Sequence, residues 1–171
     1  MKFNPFALLL PLLLGGVAGC SNIDCPLDNV VAMQCNLYAS ETRTPLQLDQ
    51  ATLTITPAGR DTVLLNQASG IHSFLLPLKD SGTQDTLLLH LTNAEGQAAT
   101  DTLFVSHTPQ PHFESVDCPV VVFHTLNAVR GTSHPLSMLP LTVDSVALVR
   151  SIVNYDDIEN VRIYLRATTN Q

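Results

Sequence analysis

Six histidines and fifteen carboxylates are the groups in this chain that could pass protons or hold a metal. A serine nucleophile would need a Gly-x-Ser-x-Gly elbow or an equivalent presentation. Neither Ser81-Gly82 nor Gly131-Thr132-Ser133-His134 supplies one. There is no Cys-x-x-Cys pair, no phosphate-cradling glycine loop and no His-Glu-x-x-His. His107 and His112 bracket the segment Thr108-Pro109-Gln110-Pro111. Zinc needs three or four converging ligands, usually with one close pair, and an offset across two prolines is not such a pair. Both histidines therefore read as solvent-exposed loop residues. Asp156-Asp157-Ile158-Glu159-Asn160 has oxygen enough for calcium but lacks the alternation and glycine of an EF-hand loop, so it reads as a solvated turn between strands. These patterns imply no enzyme, no cofactor and no metal.

More specific chemistry lies at the start of the chain. One positive charge at Lys2, the apolar run Phe6-Ala7-Leu8-Leu9-Leu10-Pro11-Leu12-Leu13-Leu14 and the small residues Gly15-Gly16-Val17-Ala18-Gly19 are the parts of a secretory signal. The run is shorter than the roughly 20 residues that span a bilayer. Val17-Ala18-Gly19-Cys20 resembles the bacterial lipobox, with Val17 in place of the usual Leu. That resemblance implies cleavage after Gly19, a diacylglycerol thioether on Cys20 and an acylated new amino terminus. Several acyl chains anchor firmly, each buried CH₂ contributing about 0.8 kcal/mol. Ser21, where Asp would signal retention at the inner membrane, fits the outer membrane. The expected division is a signal peptide over 1–19, a lipidated tether over 20–27 and one domain over 28–171.

Export permits disulfides, and with Cys20 assigned to lipid three cysteines remain. Asp24-Cys25-Pro26 and Asp117-Cys118-Pro119 share a context, so Cys25 and Cys118 are the expected pair. Such a bridge closes a loop of about 93 residues, for which chain entropy gives about 4–5 kcal/mol. Cys25–Cys35 and Cys35–Cys118 stay open as alternatives. Cys35 falls in phase with Met33 and Leu37, as a small buried hydrophobe would. The full chain carries a net charge of −7, and losing Lys2 leaves Lys79 as its lysine. That balance argues against nucleic acid or anionic lipid headgroups, which require basic patches.

The elements that must position these groups are strands. Ala51-Thr52-Leu53-Thr54-Ile55-Thr56 alternates apolar residues with threonine, and Val161-Arg162-Ile163-Tyr164-Leu165-Arg166 alternates just as regularly. Further strands are expected over 30–38, 62–67, 71–78, 86–92, 102–107, 120–129 and 143–152. Pro57-Ala58-Gly59-Arg60-Asp61, Lys79-Asp80-Ser81-Gly82 and Asn93-Ala94-Glu95-Gly96 punctuate them as tight turns. The two prolines of 108–111 cannot donate to a ladder, so this segment is expected to cross between sheets. No segment carries a helical stripe. The pattern predicts an all-β domain, an antiparallel β-sandwich with an immunoglobulin-like arrangement as the candidate.

Asp61-Thr62-Val63, Asp85-Thr86-Leu87, Asp101-Thr102-Leu103 and Asp144-Ser145-Val146 all read Asp, hydroxyl, aliphatic. They resemble the O-glycosylation acceptor motif of Bacteroidetes and make Thr62, Thr86, Thr102 and Ser145 candidate acceptors. The competing reading is a turn-ending Asp followed by a strand start. The stretch Pro111-His112-Phe113-Glu114-Ser115-Val116-Asp117-Cys118-Pro119 and then Phe123-His124-Thr125 resembles a family of uncharacterised Bacteroidetes lipoproteins. Asp24-Cys25-Pro26 and Val153-Asn154-Tyr155-Asp156 extend the likeness over most of the mature chain. Such lipoproteins tend to be encoded beside an outer-membrane β-barrel protein, so the resemblance implies a barrel partner but no activity. Cys35 lies outside the family pattern, which favours leaving it unpaired.

If Phe113, Glu114 and His124 form a binding site, it gathers around Cys118. The alternative, favoured here, is a buried corner in which Glu114 or His124 accepts backbone donors beside the disulfide. The expectation is a lipid-anchored envelope protein, a non-enzymatic binding or assembly module attached to the membrane by its N-terminal lipid. A sandwich binding glycan or calcium is the alternative.

Overall fold

The computed structural model describes Cys25 and residues 30–116 and 118–167. The signal over 1–19, Cys20 and the rest of the 20–27 tether lie outside the described residues. Among the described residues the chain is all-β. The strands are β1 (Met33–Ala39), β2 (Ala51–Pro57), β3 (Leu65–Ala68), β4 (Ser73–Leu76), β5 (Gln84–Asn93), β6 (Ala98–His112), β7 (Val121–Gly131), β8 (Leu141–Leu148), β9 (Ile152–Val153) and β10 (Glu159–Ala167). They form two sheets, ordered β4-β1-β10-β8 and β3-β2-β5-β6-β7-β9. Neighbours pair antiparallel except β1 and β10, the first and last strands, which run parallel.

Period-two alternation puts one face of each sheet inside. Met33, Cys35, Leu37, Phe74, Val161, Ile163 and Leu165 meet Leu53, Ile55, Leu87, Leu89, Leu91, Leu103 and Val105 in one sandwich core. The β5–β6 hairpin turns where expected. Gly96 takes φ 79° there, a conformation open to glycine at little cost. At Gly131 the sheets come close: a Cβ would stand 3.2 Å from Val143 Cγ1 and 3.3 Å from Val146 Cγ1.

Three expectations change. The 108–111 segment does not cross between sheets. It continues β6, with Thr108, Pro109, Gln110 and Pro111 paired to Thr125, His124, Phe123 and Val122 of β7. The reason is parity. His107 donates its N–H to Thr83 O on the β5 side, so the nitrogens of Pro109 and Pro111 face that side too. The β5 strand has already ended at Gln84, which pairs with Ser106, and no ladder acceptor is left unmet. The expected 143–152 strand divides into β8 and β9, which belong to different sheets. The expected strand at 62–67 begins only at Leu65.

Cys25 and Cys118 are bridged, with Cα atoms 5.6 Å apart. Cys35 is a free, buried thiol on the core face of β1, and burial pushes its pKa up.

Candidate functional site

Strand parity sorts the candidate residues into separate places. At the disulfide end, β6 leads through residues 113–120 into β7. His112 donates from Nε2 to Glu114 Oε1 at 3.0 Å, and its ring stacks on Phe123 with centroids 4.3 Å apart. Tyr155 stands edge-on to Phe123 at 5.0 Å. Burial raises the Tyr155 phenol pKa, and the nearby Glu114 carboxylate adds to the rise. Phe113 is 67% exposed. Glu114 is exposed as well.

His124 faces inward, beside Phe123 in sequence but on the opposite face of β7. Its Nδ1 lies 3.1 Å from His107 Nδ1, and His107 Nε2 lies 3.0 Å from Asp85 Oδ2. The carboxylate can only accept, so His107 donates from Nε2. Asp85 also takes the backbone N–H of Lys79 at 3.0 Å and faces its ammonium at 3.2 Å. Burial holds the His124 pKa low, and repulsion from His107 adds to this against the opposing pull of Asp80 and Asp85. A neutral His124 donating from Nδ1 completes the chain. Its protons are spent within it, and Asp85, His107 and His124 are all sealed from solvent. The series joins β5, β6 and β7, and the half-buried Lys79 ammonium stands at its Asp85 end.

The trio Phe113, Glu114 and His124 is therefore not one site. The corner reading also changes: Glu114 is exposed and bonds His112, and His124 is buried but bonds His107 rather than backbone. His107, expected as a solvent-exposed loop residue, is fully buried. The physical reason is that β6 continues through it in the phase of Ala99, Leu103 and Val105.

A second buried carboxylate ties the other end. Asp101 accepts the backbone N–H of His134 at 2.6 Å and of Val143 at 2.8 Å, His134 Nδ1 at 2.9 Å and the Thr142 hydroxyl at 3.2 Å. It stands on β6 of the six-stranded sheet and holds the segment leading into β8 of the other. Sequence reading missed Lys79, Asp85, Asp101, His134 and Thr142 as members of these networks. A signal was present: Asp85 shares the phase of Leu87, Leu89 and Leu91, and Asp101 that of Ala99 and Leu103.

The same two aspartates change how the hydroxyl motifs look. Thr86 and Thr102 are half-buried and follow carboxylates turned into the core, whereas Thr62 is exposed beside exposed Asp61. Ser145 is half-buried, and its Asp144 accepts from the Ser40 hydroxyl at 2.5 Å. In the 156–160 cluster, Asp156 accepts from Arg150 Nη2 at 2.9 Å, and this bond, with one from Asn154, lowers its pKa. Glu159 accepts from Tyr38 at 2.7 Å and from Arg162 Nε at 2.9 Å. Buried Asn160 donates to the carbonyls of Arg150 and Ile152. Among the described residues no three His, Cys, Asp or Glu side chains converge as a metal site would need.

At the end of the sandwich opposite the disulfide lies an open cleft of about 670 Å³. Leu139 and Leu141 make apolar wall, and Gln47, Asp49, Asn93 and Glu95 supply polar rim. Its chemistry suits a ligand or a protruding loop that offers both hydrogen-bond donors and apolar surface. Residues 52–165 match the model of a family of unknown function, DUF6452. No curated protein and no solved structure matches the chain.

Proposed function

The chain belongs to the DUF6452 family, and from that premise we propose that it is a lipid-anchored protein of the cell envelope. In this reading Cys20 carries the acyl chains and the sandwich is a non-enzymatic binding module. The observation that carries it is the Cys25–Cys118 disulfide, whose formation calls for an oxidising compartment and whose first half lies five residues after the lipobox cysteine. The anchor enters at the disulfide end, so the cleft bounded by Asp49, Glu95 and Leu139 faces away from the membrane, toward a partner in the envelope. An outer-membrane β-barrel protein is the partner the sequence resemblance implies, meeting the cleft with loops that stand clear of the bilayer, and a glycan is the alternative occupant. The Asp85 and Asp101 networks serve the scaffold.

Labelling cells with an alkyne-tagged palmitate tests the anchor. The wild-type chain should take the label and fractionate with membranes, and Cys20→Ala should lose both. A photocrosslinker at Glu95 should then trap a defined envelope partner, and one at exposed Asp61 should not. Label that persists in Cys20→Ala would refute the anchor; identical adducts from both positions would refute the cleft as the binding face.

A further inference from the structure

The connection from β6 to β7 presents exposed apolar side chains beside the exposed carboxylate of Glu114. Phe113 is 67% exposed, Val116 99% and Val120 50%. Three large apolar side chains on one hairpin tip are unusual for a surface turn, where exposed hydrophobics ordinarily scatter singly. Cys118 within this turn is bonded to Cys25, so the chain returns to the same point with Cα atoms 5.6 Å apart. From Cys25 back to Cys20 the backbone reaches at most about 17 Å. A folded partner has a diameter on the order of 30 Å and would not fit between the tip and the bilayer. Residues 112–120 contain no Lys or Arg, and the chain carries a net charge of −7. A bilayer with anionic headgroups would repel this tip, and a zwitterionic one would not.

We propose that Phe113, Val116 and Val120 form a membrane foot: these three side chains rest in the interface of a zwitterionic bilayer and fix the orientation of the sandwich on its anchor. This rests on the lipid-anchored reading of Cys20. The disulfide holds the foot beside the tether. The His112–Glu114 bond and the stack of His112 on Phe123 fix the base of the turn, which leaves Phe113 directed outward.

The chain contains no tryptophan, so Phe113→Trp introduces a single reporter at the foot and Glu95→Trp one at the opposite end. Full-length lipidated protein is reconstituted in phosphatidylcholine vesicles, with and without acyl-brominated lipid, and mass spectrometry reads the lipid on Cys20. The expected result is blue-shifted emission from F113W with most of its intensity lost to brominated lipid, and no change for E95W. Unquenched F113W on a chain whose Cys20 carries lipid overturns the foot and leaves the anchor standing. An unmodified Cys20 overturns both. Emission that shifts with protein concentration in the absence of vesicles overturns the foot in favour of self-association. Val116→Trp repeats the measurement at a fully exposed position if F113W does not fold.

Discussion

At His124 two effects act in the same direction: burial and the neighbouring His107 both disfavour the charged imidazole. In the unfolded chain the same residue titrates near 6.5. Below that pH the unfolded state binds the proton more readily than the folded one, so stability falls as the pH drops from above 6.5 toward the lower folded value. One such proton gives a slope of at most about 1.4 kcal/mol per pH unit. Urea midpoints between pH 7.5 and 5.5 should therefore fall less steeply for His124→Asn than for the wild type, even though the variant starts from lower stability. Parallel curves would mean that His124 takes no part in proton linkage. Period-two reading anticipates that Cys35 is buried, because its neighbours in phase are apolar. Alternation does not decide His124, because Thr125 and Phe123 on either side read equally well as core or surface; the favoured buried corner places it inside but does not give its partner, His107.

Among the elements, β6 carries the most consequence. Its fifteen residues present Asp101 at one end of the core and His107 toward the other, and its last turn-ward residues include two prolines that fit because β5 has ended. Asp101 gathers two backbone N–H groups, one hydroxyl and one imidazole; without it the Val143 N–H loses its acceptor, while His134 and Thr142 keep only their bonds to each other. Removing one partner from a buried charged network typically destabilises by about 3–5 kcal/mol. Asp101→Ala should lose stability on that scale in chemical denaturation, with Asp101→Asn intermediate because one carbonyl oxygen still accepts. A loss under 1 kcal/mol in the alanine variant would show that the β7–β8 connection holds without this carboxylate. The strands themselves were legible: β2 alternates without a fault in sequence and in burial, whereas β10 departs from its sequence alternation at Tyr164, which is buried between Ile163 and Leu165. Their ends were not, since a strand stops where its neighbour does, and neighbours are set by the sheet order.

For the whole molecule, the long-range tie is the disulfide. It links Cys25, ahead of the first strand, to the β6–β7 turn across a separation of 93 residues. Chain entropy values a closure of that length at about 4–5 kcal/mol. The double variant Cys25→Ser, Cys118→Ser should be less stable by about that amount, read as a lower urea midpoint with a slope no shallower than the wild type's, because the uncrosslinked denatured chain exposes more surface. A loss under about 1 kcal/mol would show that the bridge does little to restrict the denatured chain. Beyond stability, the bridge places Cys25 at the β6–β7 end of the sandwich, and both the cleft and the foot take their proposed roles from that placement.

The sequence alone determined that this chain is a β-protein, that Cys25 pairs with Cys118 as the favoured choice and that Cys35 lies inside. Each follows from information local to the chain: alternation, a shared Asp-Cys-Pro context and a phase with apolar neighbours. Tertiary structure alone decided that Asp85 and Asp101 are core residues, that His107 and His124 meet, and that Phe113 and Glu114 part company from His124. Those outcomes depend on which strands stand side by side and in what register. A buried polar group is stable only when a partner from another strand arrives at hydrogen-bond distance, and strand neighbours are not written in the spacing of any one segment.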